Sequence, residues 1–387
     1  MSTSLFTNPS RRDLLLALAS AGLASSSHGA ESFAGRTIEP ASHHAVIAQI
    51  FDVSPAQQDV SRDLVAGSQA AWQEINRRGG LRGSPVQHLS IPVDGSEEAL
   101  RAALNRVRDL GGCLAFSGTA GDPAATQLTA LLRKTSTSIA HVAPWLQNSS
   151  LAIDDYTFPI FAPRQDQIAQ ALQTLAGVGI SEIGTVYATA QSYLQNHVDL
   201  ERIAGELKLR LRPYRADGRL TALGATMGTS APVVLLFVGG TPELSQFVEG
   251  VNQDARRRFV IALADVNLQT LLQMGVQKDH STSIVATQPV PLVSSSIEVV
   301  RNYRAANARF FSEAPTALGL AGYIAARYTF DVLQGVDGPL NPGTALQAFQ
   351  RRAEADVGGY RIRFGPQRRS GTFVTQSMLS GDGRIVG

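Results

Sequence analysis

The 387 residues include one cysteine, Cys113, so no internal disulfide can form. That excludes a disulfide-stapled scaffold. It leaves Cys113, in the apolar run Cys113-Leu114-Ala115-Phe116, as a small core residue. An excess of one charge is also lacking. The formal net charge is +2, and it falls to about +1 without residues 1–30, which carry Arg11, Arg12 and Asp13. A chain this close to neutral has no particular attraction for nucleic acid or an anionic membrane. After residue 30 no apolar run approaches the roughly 20 residues of a membrane-spanning helix. No G-x-S-x-G elbow supports a nucleophilic serine. There is no Walker A pattern, and the glycines of Gly79-Gly80 and Gly118-Thr119-Ala120-Gly121 are not a dinucleotide fingerprint. His43, His44, His88, His141, His197 and His280 show no metal-ligand spacing on one helix. No catalytic residue, metal or cofactor is therefore expected.

What is present begins with a distinct N-terminus. Arg11-Arg12 precede the short apolar stretch Leu14-Leu15-Leu16-Ala17-Leu18-Ala19, and small residues lead to Ala30. A charged start, an apolar centre and a small-residue end are the parts of an export signal cleaved after Ala30. The arginine pair points to the twin-arginine route, with the general route as its competitor.

Past residue 44 strands and helices alternate. Ala45–Phe51 reads as a buried strand, and Asp59–Arg78 as a helix closed by Gly79-Gly80. Val86–Val93, Cys113–Phe116 and Ser138–Ala143 read as strands, with helices at Glu97–Leu110 and Pro123–Lys134. The pattern restarts with a helix at Gln165–Leu175, a strand at Ile183–Tyr187 and a helix at Tyr193–Leu207. Pro232–Val238, Phe259–Ala262 and Ser283–Thr287 follow as strands, with a helix at Pro242–Asn252. Helices are expected at Ile297–Phe311, Ala321–Gly335 and Ala345–Ala353, then a final hairpin from Tyr360–Phe364 and Gly371–Gln376. Arg256-Arg257-Arg258 reads as a solvated turn. Such alternation means an α/β fold with two doubly wound parallel-sheet lobes. Ligands of such sheets sit beyond the carboxyl ends of the strands.

The run Gly67-Ser68-Gln69-Ala70-Ala71-Trp72-Gln73-Glu74-Ile75-Asn76-Arg77-Arg78-Gly79-Gly80-Leu81-Arg82-Gly83 resembles the first helix of the type I periplasmic solute-binding proteins. The likeness is to the branched-chain amino-acid-binding branch that serves ABC importers. Asp94, Phe116-Ser117-Gly118-Thr119, Ala143-Pro144-Trp145, Phe161, Arg164 and Ala321-Gly322-Tyr323 continue it. The resemblance implies a discontinuous layout joined by a multi-segment hinge. One lobe would hold 44–162 and 289–355, and the other 165–286 and 356–387.

The resemblance also implies a site. The loop Gly118–Gly121 would hold a ligand carboxylate through backbone N–H groups, with Thr119 beside it and Gly121 in place of a serine. Asp122 would cap the following helix. Trp145 would offer a flat apolar wall, and Gln147 would stand at a small hydroxyl residue's position. Tyr193 would present an aromatic ring from the second lobe, with Tyr187 left in the core. Thr241 follows Gly239-Gly240, where the family often has an aromatic. Asp265 would meet an ammonium group, although strict register points to Leu263. The implied function is periplasmic capture of a small carboxylate-bearing ligand, an amino acid or related compound, by a monomer that serves an inner-membrane ABC permease. The alternatives are an exported sensor and an enzyme on a related two-lobed scaffold.

Overall fold

A computed structural model describes residues 45–135, 137–254, 256–276, 282–371, 373–380 and 383–387. The export-like segment, His43, His44, His280 and Thr372 lie outside the described residues.

The first lobe opens with β1 (Ala45–Asp52), α1 (Gln58–Arg77), β2 (Val86–Val93), α2 (Glu97–Asp109), β3 (Cys113–Ser117), α3 (Asp122–Thr135), β4 (Ala140–Val142) and β5 (Thr157–Phe158). All pairings in its sheet are parallel, in the order β2-β1-β3-β4-β5. Side chains of β1 alternate between two cores. Ile47 and Phe51 join one, and Val46, Ala48 and Ile50 join the other. A strand buried on both faces has to read as a continuous apolar run, which is why β1 was conspicuous in the sequence.

The chain then crosses to α4 (Arg164–Gly177), β6 (Glu182–Tyr187), α5 (Ala190–Glu206), β7 (Arg210–Arg215), α6 (Leu220–Ala225), β8 (Val234–Val238), α7 (Thr241–Val251), β9 (Arg258–Ala262), α8 (Leu268–Gln273) and β10 (Thr282–Gln288). It returns for α9 (Glu298–Phe310), α10 (Ala317–Gln334), α11 (Pro342–Gln350), β11 (Ala355–Val357) and β12 (Tyr360–Ile362), and ends with β13 (Thr375–Leu379) and β14 (Ile385–Val386). The second sheet runs β14-β13-β10-β9-β8-β6-β7, with β13 antiparallel to both neighbours. It too lies between two cores, one around Phe237 and Phe247 and one around Ile183 and Leu236.

Three expectations are corrected. The last two strands do not form the expected hairpin. Tyr360–Ile362 pairs with Ala355–Val357, and Thr375–Leu379 pairs with β10 and β14. The β11–β12 pair packs on the first lobe through Val357, Tyr360 and Ile362, so the last crossing falls after residue 362 and not at 356. Arg258 is not a solvated turn residue. It opens β9, is fully buried, and donates to the carbonyls of Met227, Gly228 and Pro232. β7 escaped notice because it is an edge strand with Pro213 and alternating arginines, a pattern that edges tolerate.

The glycines of the sequence motif have a packing role. A Cβ on Gly67 would stand 1.7 Å from the Gly319 carbonyl oxygen, and one on Gly322 1.9 Å from that of Leu64. α1 and α10 therefore touch backbone to backbone.

His141, fully buried on β4, is held between two threonines. Thr129 Oγ1 donates to the Ala125 carbonyl at 2.9 Å, so it accepts from His141 Nδ1–H at 3.3 Å. Nε2 then accepts from Thr119 Oγ1 at 2.9 Å. Burial pushes the imidazole pKa down to about 3. Between an unfolded value near 6.5 and about 3, the unfolded chain binds this proton and the folded one does not, so stability falls as pH drops. We expect this group to contribute about 1.4 kcal/mol of lost stability per pH unit in that window. Urea midpoints measured across it should show a shallower slope in His141→Asn.

Candidate ligand cleft

The carboxyl ends of both sheets face one cleft of about 430 Å³. The first lobe gives Gln57, Asp122, Thr126, Gln127 and Asn148 to its lining. The second gives Thr189, Ser192, Gln195, Asn196, Gly240, Glu243 and Asp265, and Arg164 stands at the first crossing. Three crossing segments run side by side at its back. Tyr360 reaches Ile160 O at 2.9 Å and Pro289 O at 3.3 Å, Ser370 N donates to Pro159 O, and Thr375 Oγ1 to Val290 O.

An ion triad ties the lobes at the floor. Arg164 Nη2 lies 2.6 Å from Asp265 Oδ2, and Arg164 Nη1 lies 3.7 Å from Asp122 Oδ2. Burial works against the Arg164 charge, but the Asp265 and Asp122 carboxylates outweigh it and raise the guanidinium pKa. Burial raises the Asp122 pKa above the usual carboxylate range, against the pull of Arg164. Behind the triad, Gln167 donates to Gln147 Oε1 at 2.5 Å and to Ala162 O, and its own Oε1 accepts from Ala264 N and Thr287 Oγ1.

Of the seven nominated residues, Asp265 lines the cleft. Its carboxylate is engaged by Arg164 and by Trp145 Nε1 at 3.3 Å. Trp145 is buried, packed on Phe161, and faces a second space of about 300 Å³ instead of walling the cleft. Gln147 is buried in the hinge network, and Thr119 is buried against His141. Gly121 has φ +97°, and a Cβ there would meet the Asp52 Cβ at 2.8 Å. A serine side chain would therefore be strained at this position beside Asp52. Asp122 does not cap α3 as expected; its carboxylate accepts from Gln147 N at 2.8 Å and Asn148 N at 3.0 Å.

Tyr193 turns away from the cleft. It stacks on His197 at 4.3 Å, meets Tyr187 edge-on, and lies under Arg215. Helix phase explains this. α5 starts at Ala190 under a Thr189 cap, so Ser192, Gln195 and Asn196 share one face and Tyr193 and His197 another. The capping threonine could have set that phase from sequence. Thr241 is also buried. It bonds Asp59 of α1 and accepts from Asn267 N at 3.0 Å. With Asn267 Nδ2 donating to Asp63 at 2.8 Å and Arg62 to Thr270 Oγ1 at 3.1 Å, it joins the lobes across the cleft's edge. Gln57, Gln127, Ser192, Gln195 and Glu243 were missed because polar residues on helix starts look like ordinary surface.

Residues 45–378 match the family described as periplasmic binding protein. The chain belongs to that family. Its fold is that of the type I members. An extracellular ligand-binding receptor from Verminephrobacter eiseniae is similar at 18% identity and TM-score 0.77, over 89% of this chain and 100% of the other. A possible leucine/isoleucine/valine-binding protein from Rhodopirellula baltica aligns at 18% identity and TM-score 0.76, over 91% and 98%. A branched-chain amino acid transporter substrate binding protein from Streptococcus pneumoniae, solved with isoleucine, aligns at 13% identity and TM-score 0.75, over 89% and 98%. No curated protein sequence matches the chain. The family and these structural neighbours are binding proteins, and the family is a periplasmic one.

Two substitutions test the geometry of this binding protein. Gly121→Ser should lower stability by about 1–3 kcal/mol, through the positive φ and the Asp52 contact. Arg164→Gln should cost about 3 kcal/mol, because two poorly solvated carboxylates lose their partner. Denaturant titration of each variant checks both values.

Proposed function

We propose that this periplasmic binding protein captures a small polar solute, an amino acid or related compound, and delivers it to an inner-membrane ABC permease. The observation that carries the reading is the cleft itself. It lies at the carboxyl ends of the parallel strands of both sheets, it is lined by polar side chains of both lobes, and its volume of about 430 Å³ suits a ligand of amino-acid size. The names of the structural neighbours, among them a transporter subunit solved with isoleucine, support the same reading. Residues 1–30 would act as the cleaved export signal, and the chain would work as a monomer without catalysis. Contacts made from both lobes at once would favour the closed arrangement, since a ligand shifts such an equilibrium only by its differential affinity.

A thermal-shift screen of amino acids, amines, amides, aromatic acids and dicarboxylates tests this proposal. At a hundred times its Kd a true ligand adds about 2.7 kcal/mol, a readily measured rise in Tm. A hit in one chemical class is expected. A flat result across every class would contradict small-solute capture.

A further inference from the structure

We infer that the corner of the cleft between β1, α3 and α7 is a subsite for an organic cation, so that the solute is a small primary amine or guanidinium compound whose positive groups outnumber its negative ones. This rests on the capture function proposed above and names its ligand class.

The first observation is charge. Among the described residues that line the cleft, Asp122, Glu243 and Asp265 are acidic and Arg164 is the only Lys or Arg. Arg164 is already engaged by Asp265 and lies near Asp122, so it is committed to two carboxylates. A ligand carboxylate at the start of α3 would stand beside Asp122, whereas a cation would be drawn in.

The second observation is independent of charge. Asp52 ends β1 with a relative exposure of 1%. Its Oδ1 accepts from Ser54 N at 2.8 Å, while Oδ2 is buried without a partner. Gln57 Oε1, Gln127 Oε1 and Glu243 Oε2 are also buried and unpartnered. These atoms lie close together. A single point beside Gly121, where a Cβ would stand, is 3.5 Å from Gln57 Oε1 and 3.6 Å from Asp52 Oδ2. Gln127 Nε2 donates to Gly95 O at 3.4 Å, and a Cβ on Gly95 would be 3.6 Å from the same Asp52 oxygen. From the other lobe, Glu243 Oε2 is 2.9 Å from the Cβ position of Gly240, itself 3.7 Å from Ala56 O. The four unpartnered side-chain atoms named at this corner are all acceptors. A buried acceptor left unmade costs about 1–3 kcal/mol, more when charged. An ammonium with three donors or a guanidinium with five answers such a set, and a carboxylate or an aliphatic side chain does not. Because Glu243 comes from the second lobe and Asp52, Gln57 and Gln127 from the first, a cation held here would also pull the lobes together.

Calorimetric titration of the purified protein with arginine, agmatine and putrescine, against citrulline, leucine and glutarate, tests the inference. At least one cation should bind ten times more tightly than its neutral counterpart. Glu243→Gln should weaken that binding at least tenfold with Tm unchanged, and raised salt should weaken it further. Asp52→Asn should do the same, and if that buried variant fails to fold, Gln127→Leu replaces it. Tight binding of leucine, citrulline or glutarate in preference to every cation would overturn the cation subsite and leave solute capture standing. So would a Glu243→Gln protein that binds the cation unchanged, since an ordered water would then suffice at this corner. Binding of none of the six, with no shift in the broader thermal screen, would overturn both.

Discussion

Arg164 stands where the chain first passes from one lobe to the other, and its guanidinium meets Asp265 of the second lobe and Asp122 of the first. Much of the cleft follows from that contact. Asp122, held in place, takes the Gln147 and Asn148 amides and so fixes the loop after β4. Asp265, held in place, takes the Trp145 indole and sets the loop after β9. Two carboxylates on one cation leave the floor negative while committing Arg164, the only Lys or Arg among the described lining residues. A buried ion group of this kind need not add much net stability. Its effect is to fix geometry.

The interlobe contacts at the cleft's edge are polar, while Ala264 of the second lobe packs into the first lobe's core. Thr241, Asn267, Asp59, Asp63, Arg62 and Thr270 join α1 to the starts of α7 and α8. An apolar contact of that extent would hold the lobes shut by itself. A polar one exchanges protein partners for water at small net cost, which leaves a bound solute able to decide between open and closed arrangements.

The fold was legible because its strands are buried on both faces and carry unbroken apolar runs, as at Val234–Val238, and because Gly67 and Gly322 mark a close helix contact. What escaped reading was mostly polar or short: β7 at an edge, α6 and α8 with six residues each, and the crossing after β12. The site was less legible for a related reason. Strand ends pointed to the loops that surround the candidate cleft, but residue direction there depends on helix phase and on neighbours distant in sequence. Tyr193 was assigned to the cleft without the Thr189 cap that turns it away. Gly121 looked like a lost hydroxyl, whereas Asp52, 69 positions earlier, occupies its space.

The two lobes should close on a solute in this cleft, and a distance between lobes measures that closure most directly. α3 and α5 both start at the cleft, so labels on exposed Ala130 and Val198 would ride on opposite lobes. Cys113 is buried with its thiol pushed up to about 12, so Ala130→Cys and Val198→Cys would be labelled selectively. Pulsed electron–electron distance measurement should give a longer, broader distribution without ligand and a shorter, narrower one with a saturating compound. An identical distribution in both states, with binding verified in the same sample, would contradict closure as the mechanism of capture.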